Sequence, residues 1–255
     1  MTYINLTTYL IVCPLVFFAG LLDSIAGGGG LISLPAYLFA GIPPMNAVAT
    51  NKLSSSCGTV IANIRYIKNK SVDFGLILPT VLTAVFGSSL GAQLVLRIDE
   101  VYIKYILVIA LPIVAFLVLF KKNTFETVST ASISRPKQLI IAMIAAFIIG
   151  MYDGFYGPGT GTFLVLALTG IAKMDVKKAT GNTKCINLAS NLAALSTFLL
   201  HGKVLILLGI PAALFNIAGN YIGSGLVLKN GTKIVKPIIL IVLVMLFGKV
   251  ILEVF

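Results

Sequence analysis

Hydrophobic residues in this chain come in long unbroken blocks, not in the alternation of a half-buried strand. YILVIALPIVAFLVLF (105–120) and IILIVLVMLF (238–247) carry no charge and reach or approach the roughly 20 residues that a spanning helix needs. The blocks predict helices over about 5–25, 45–67, 74–96 and 101–120, then 138–156, 178–200, 204–228 and 234–252. Two shorter apolar segments, 31–40 and 161–171, are too short to cross a bilayer unaided. The segments 45–67 and 178–200 differ from the rest, because each carries hydroxyls, amides and one lysine near its start.

The pattern occurs twice. FFAGLLDSIAGGGG around Asp23 aligns with FIIGMYDGFYGPGT around Asp153, ATNK ending at Lys52 with ATGNTK ending at Lys184, and GSSLGAQLVLR (87–97) with GNYIGSGLVLK (219–229). The expected organisation is a first transmembrane repeat over 1–122, a cytoplasmic linker over 123–137 within KKNTFETVSTASISRPK, and a second repeat over 138–255.

Composition sharpens this reading. Of 255 residues 58% are hydrophobic and 11% charged, against about 25% charged in soluble domains, and the mean hydropathy is +1.03. The net charge of +11 sits in short loops, where it orients spans and does not suggest nucleic acid. Lys121, Lys122, Arg135 and Lys137 place the linker inside. Arg65, Lys68 and Lys70 do the same for loop 65–73, as do Lys173, Lys177 and Lys178, and Lys229, Lys233 and Lys236, for their loops. Loop 97–100 and the loop with His201 and Lys203 fall outside. The halves are then opposed and both termini extracytoplasmic, as in many secondary transporters. The expected fold is all-α: a polytopic transmembrane helical bundle built from two inverted repeats with Gly-broken helices.

No basic residue precedes the first apolar run, so no cleavable signal is expected. Cys13, Cys57 and Cys185 lack metal-ligand spacing and read as small apolar residues. Neither a metal nor a cofactor is expected. GPGTG lacks the strand and lysine of a phosphate loop. Gly87, Gly91, Gly219 and Gly223 form small-xxx-small pairs for close helix approach.

Glycine in a helix costs about 1 kcal/mol relative to alanine, so Gly27, Gly28, Gly29 and Gly30 together interrupt one. Gly157, Gly159 and Gly161 with Pro158 do so in the second half. Within lipid such a break is tolerated where it is buried in protein or lines a wet cavity; the alternative is an interfacial turn. Asp23 and Asp153 stand at equivalent places four residues before each break. An intramembrane carboxylate is a functional candidate, here for ion coupling, and helix capping is its other reading. Lys52 and Lys184 stand among Thr50, Asn51, Ser54, Ser55 and Ser56, and among Thr180, Asn182, Thr183 and Asn187. Ammonium, amide and hydroxyl donors, with helix N-termini freed at the breaks, suit a small oxyanion; a lysine snorkelling to the interface is the alternative.

DSIAGGGGLISLPAYLFAGIPPMNAVATNKLSSSCGT, DGFYGPGTGTFLVLAL and KATGNTKCINLASNLAAL resemble the TauE/SafE sulfite-exporter family, most of all its YfcA-like branch, from about Phe17 to Leu252. The resemblance implies a multi-pass protein of the cell inner membrane with duplicated halves, moving sulfite, sulfonates or related anions. It carries over Asp23, Gly27 to Gly30, Asn51, Lys52, Asp153, Gly157, Gly159 and Lys184. GPGTG departs from GGGG, so the two half-sites are unequal. The expectation is a secondary transporter, proton-coupled or facilitative, and not an enzyme. An anion channel or a membrane assembly factor without transport are the alternatives. The expected partners are a small anionic substrate and the lipid bilayer, with homo-oligomerisation left open.

Overall fold

The computed structural model describes residues 4–99, 101–102 and 133–230. The predicted spans 101–120, beyond Val101 and Tyr102, and 234–252 lie outside the described residues, as does most of the linker. What is described folds as helices, with no strand among the described residues: α1 (Leu6–Ala26), α2 (Gly30–Phe39), α3 (Pro44–Lys68), α4 (Phe74–Leu96), α5 (Arg135–Phe155), α6 (Thr160–Leu166), α7 (Val176–Leu200) and α8 (Ile206–Asn230). A π-helical turn, Ala167–Ile171, extends α6.

Local chemistry sets the boundaries. Asn5 and Thr8 cap α1 reciprocally, and Gly27, left-handed at φ 76°, ends it. Pro44 opens α3, where a proline's missing N–H is harmless. The same preference corrects one expected boundary. α5 starts at Arg135, not 138, because Pro136 stands in its first turn and draws Arg135 and Lys137 out of the linker into the helix.

α1, α4, α5 and α8 are long and apolar enough to cross a bilayer. Their outer faces carry apolar stripes at helical spacing, such as Leu78, Leu82 and Phe86 on α4 and Ile140, Ile144 and Ile148 on α5. α3 and α7 have 25 residues each, about 37 Å at 1.5 Å per residue, yet are too polar to face lipid. They sit inside. α3 packs on α7 and α8, α7 on α4, while α1 lies along α8 and α4 along α5. Each half thus closes its polar helix with elements of the other.

Small residues make these crossings tight. A Cβ at Gly91 or Gly154 would fall 1.9 Å from a backbone oxygen across α4 and α5, and one at Gly219 would fall 2.1 Å from the Phe17 oxygen across α1 and α8. In lipid, where no hydrophobic drive joins helices, such approach supplies the packing.

At the end of the bundle where α3 finishes and α7 begins, Arg135 Nη2 lies 2.6 Å from Asp73 Oδ1. The guanidinium holds the Asp73 carboxyl below the ordinary carboxylate range. A lowered carboxylate stabilises the fold above its unfolded value and loses that contribution as pH falls through its folded value. Arg135 is largely exposed, so the pair is worth under about 1 kcal/mol. Arg135→Gln should lower the melting temperature slightly at neutral pH, and the gap from wild type should close on acidification.

Candidate functional site

Two glycine-rich turns meet at the centre of the helices. The Gly161 N–H donates to the Gly27 oxygen at 3.1 Å, and a Cβ at Gly30 would fall 3.0 Å from Pro158. Only chains without side chains here could approach so closely, which accounts for glycine at 27 and 161. Around this junction Leu22, Ile25, Leu31 and Leu34 pack with Tyr156, Ala194 and Phe198 in one apolar cluster.

Beside the junction lies a small cavity lined by Asp23, Gly27 and Gly30, by Asn51, Lys52 and Ser55 of α3, by Asp153 and Gly157, and by Asn187 and Asn191 of α7. Its volume is about 20 Å³. A water needs roughly 10–15 Å³ by the same measure, so the cavity has room for a water and not for a sulfur oxyanion as it stands.

The charges are crossed between halves. Lys52 Nζ of α3 is 2.9 Å from Asp153 Oδ1 of α5, and Lys184 Nζ of α7 is 3.3 Å from Asp23 Oδ2 of α1. Both lysines are 1% exposed. They do not snorkel to an interface. Burial of this depth requires a partner for each ion, and each ammonium has found the carboxylate of the opposite half.

The two pairs are unequal. Asp153 also accepts from Thr160 Oγ1 at 2.9 Å and Ser190 Oγ at 2.7 Å. Among the contacts between described residues, Asp23 has at its carboxylate, besides its lysine, a limiting 3.5 Å one from Thr59 Oγ1. Its side chain is 13% exposed, against 2% for Asp153. Lys184 also donates to the Asp23 backbone oxygen.

Other residues named from the sequence fall elsewhere. Thr50 Oγ1 accepts from the Leu205 N–H at 3.0 Å, and Asn182 Oδ1 accepts from the Asp73 N–H at 2.8 Å; both tie down the loop before a helix of the other half. Thr180 Oγ1 bonds back to the Val176 oxygen within its own helix. Gly28, Gly29, Gly159 and Gly161 build the turns and do not line the cavity. Ser190, Asn191, Thr59 and Thr160 were not singled out. The signal for three of them was helical spacing: 184, 187, 190 and 191 share one face of α7, and 52, 55 and 59 one face of α3.

Residues 12–250 match the family described as Sulfite exporter TauE/SafE. The chain is 38% identical over 226 residues, 89% of its length and 85% of the relative's, to "Probable membrane transporter protein ORF9" of Sinorhizobium sp. It is 35% identical over 236 residues, 92% of its length and 86% of the relative's, to "Probable membrane transporter protein YfcA" of Escherichia coli (strain K12). A "Probable membrane transporter protein" of Haemophilus influenzae is 31% identical over 237 residues, 93% and 92% of the two chains. No solved structure matches. With family and relatives alike named for transport and not for catalysis, this chain of apolar spans around a buried charged cavity belongs to the TauE/SafE family and is a membrane transporter.

Proposed function

We propose that the chain is a secondary transporter of the cell inner membrane for a small sulfur-containing oxyanion or organosulfonate such as sulfite, built from two inverted repeats that move against each other around the cavity. The observation that carries the reading is the crossed pair of buried ion bridges, Lys52 with Asp153 and Lys184 with Asp23, at the meeting of two glycine breaks. Buried ammonium groups with amides and hydroxyls beside them supply charge and donors to an oxyanion. Asn51, Lys52, Lys184 and the Gly27 and Gly157 backbone are the proposed binding groups, joined by Ser55, Asn187 and Asn191.

Matched details support the repeat. The bond from Asp73 N–H to Asn182 has its counterpart 132 residues on, in the bond from Leu205 N–H to Thr50. Left-handed backbone recurs too: Gly41 at φ 77° corresponds to Lys173 at φ 53°, and Lys70 at φ 53° to Gly202 at φ 64°. The lysines of these pairs stand at one end of the bundle and the glycines at the other, which favours an orientation with the lysine end cytoplasmic and the N-terminus outside.

The test is a panel of sulfite, methanesulfonate, thiosulfate and acetate, scored by thermal shift of the purified full chain and then by flux in proteoliposomes. A sulfur oxyanion at a hundred times its Kd should stabilise the protein by about 2.7 kcal/mol. Stabilisation by acetate alone would overturn the substrate class. Uptake against an anion gradient, driven by an imposed proton gradient, distinguishes a coupled transporter from a channel or facilitator.

A further inference from the structure

Lys52, Asp23 and Asp153 line the buried cavity, and Lys184, paired with Asp23 behind that lining, completes a set of two ammonium groups and two carboxylates whose charges cancel. A monoanion entering this set unaccompanied would leave an uncompensated charge deep in the protein, which is strongly unfavourable. Electroneutrality is kept if one carboxylate takes up a proton as the anion arrives. Resting on the transporter reading above, we infer that Asp23 is that carboxylate: each monoanion binds together with one proton on Asp23, and the anion replaces the Asp23 carboxylate as the partner of Lys184.

The balance is simple. A hydronium ion of the aqueous phase gives up the proton: one of its O–H bonds breaks, leaving water, and one O–H bond forms on the Asp23 carboxyl, with no change of oxidation state. The Lys184 ammonium keeps its charge, and the ion pair of Lys184 with the anion succeeds that of Lys184 with Asp23. The sum over the two ion pairs and the bound anion is zero before and after.

Geometry selects Asp23 over Asp153. Protonating Asp153 would weaken three good contacts, from Lys52, Thr160 and Ser190, in a site 2% exposed. Asp23 would lose one ion pair at 3.3 Å and a marginal hydroxyl contact, in a site 13% exposed and open to the cavity. Lys184 has a second anchor in the Asp23 backbone oxygen, so its ammonium stays in place once the carboxyl is neutral. The Asn63 side chain, donating to the Lys184 oxygen at 2.9 Å, fixes that turn of α7.

Among the described residues, the titratable groups that face Asp23 are Lys184 from α7, Lys52 and Tyr66 from α3, and Asp153 of α5 across the cavity. α6 carries none. On α2, Tyr37 bonds Ser54 instead; on α8, Tyr221 is exposed beneath Arg65 and Lys229 stands exposed in the last turn.

The experiment measures proton uptake on binding. Methanesulfonate is the probe, because it carries one fixed charge and no titrating proton of its own. Calorimetric titration of the full chain in buffers of different ionisation enthalpy counts the protons. On the alkaline side, wild type should take up one proton per anion, with affinity falling about tenfold per pH unit; Asp23→Asn should take up none and bind with a flat pH profile. In proteoliposomes, wild-type methanesulfonate uptake should be indifferent to an imposed membrane potential. Proton uptake that persists in Asp23→Asn, or disappears in Asp153→Asn instead, overturns the assignment. If Asp23→Asn fails to fold, the wild-type measurements decide: binding without proton uptake, or uptake that responds to potential, defeats the inference. If wild type binds neither methanesulfonate, sulfite nor thiosulfate, the oxyanion reading itself fails, a result distinct from a wrong proton count.

Discussion

Lys52→Met is expected to cut anion flux in proteoliposomes by about thirtyfold or more, and to lower the melting temperature of the purified protein at the same time. Both effects follow from a side chain 1% exposed and 2.9 Å from Asp153. Removing one member of a buried, hydrogen-bonded charge pair typically weakens binding by about 2–5 kcal/mol, and each 1.4 kcal/mol is a factor of ten. The Asp153 carboxylate left behind is an uncompensated buried charge, a loss of about 3–5 kcal/mol in stability. The two effects separate in the double variant. Lys52→Met with Asp153→Asn removes both charges, so most of the stability should return while flux stays low. Near-normal flux in the double variant would show that the ammonium serves the fold alone, and a melting temperature unchanged in the single variant would show that the pair is not buried in the membrane-embedded protein.

The second large effect concerns the contact between the two breaks. A Cβ at Gly27 would fall 2.4 Å from the Gly161 Cα, and the position is left-handed at φ 76°. Gly27→Ala therefore meets two penalties, roughly 1–2 kcal/mol for the left-handed backbone and about 1–3 kcal/mol or more for overpacking against a neighbour that cannot rotate away. Gly41 separates them, because it has nearly the same φ, 77°, with nothing within 4 Å of an added Cβ. Gly41→Ala should lose only the first term. Thermal melts of both variants in one detergent measure the difference, and equal losses would mean that the crossing is slack.

Much of the helical layout was readable before any coordinates, for a physical reason: in lipid the backbone must bond within each segment, so an apolar run and its end signals nearly determine a helix. The polar character of α3 and α7 could be read in the same way. What could not be read was who faces whom. Nothing local in ATNK tells Lys52 to choose Asp153 of the other half over Asp23 of its own; that follows from α3 packing on α7 and α8. Thr50 and Asn182 were grouped with the lysines because they are polar neighbours in sequence, yet their side chains turn to the Leu205 and Asp73 amides. On a helix, adjacent residues point about 100° apart, and proximity in sequence is a poor guide to a shared site. Asn191, seven residues beyond Lys184, was passed over for the converse reason, although it stands on the same face. Arg135 read as linker charge until Pro136 drew it into a helix.

The bond from the Gly161 N–H to the Gly27 oxygen ties the two glycine-rich turns together, and in the proposed transporter it is the natural fulcrum. Because that link is backbone to backbone, with no side chain to bend or swing, a tilt of α2 that preserves it must drag α6 along. In the transport cycle proposed above, a seesaw mounted on such a pin cannot tip toward both sides at once, and a passenger held beside it is shown to one compartment only by being hidden from the other.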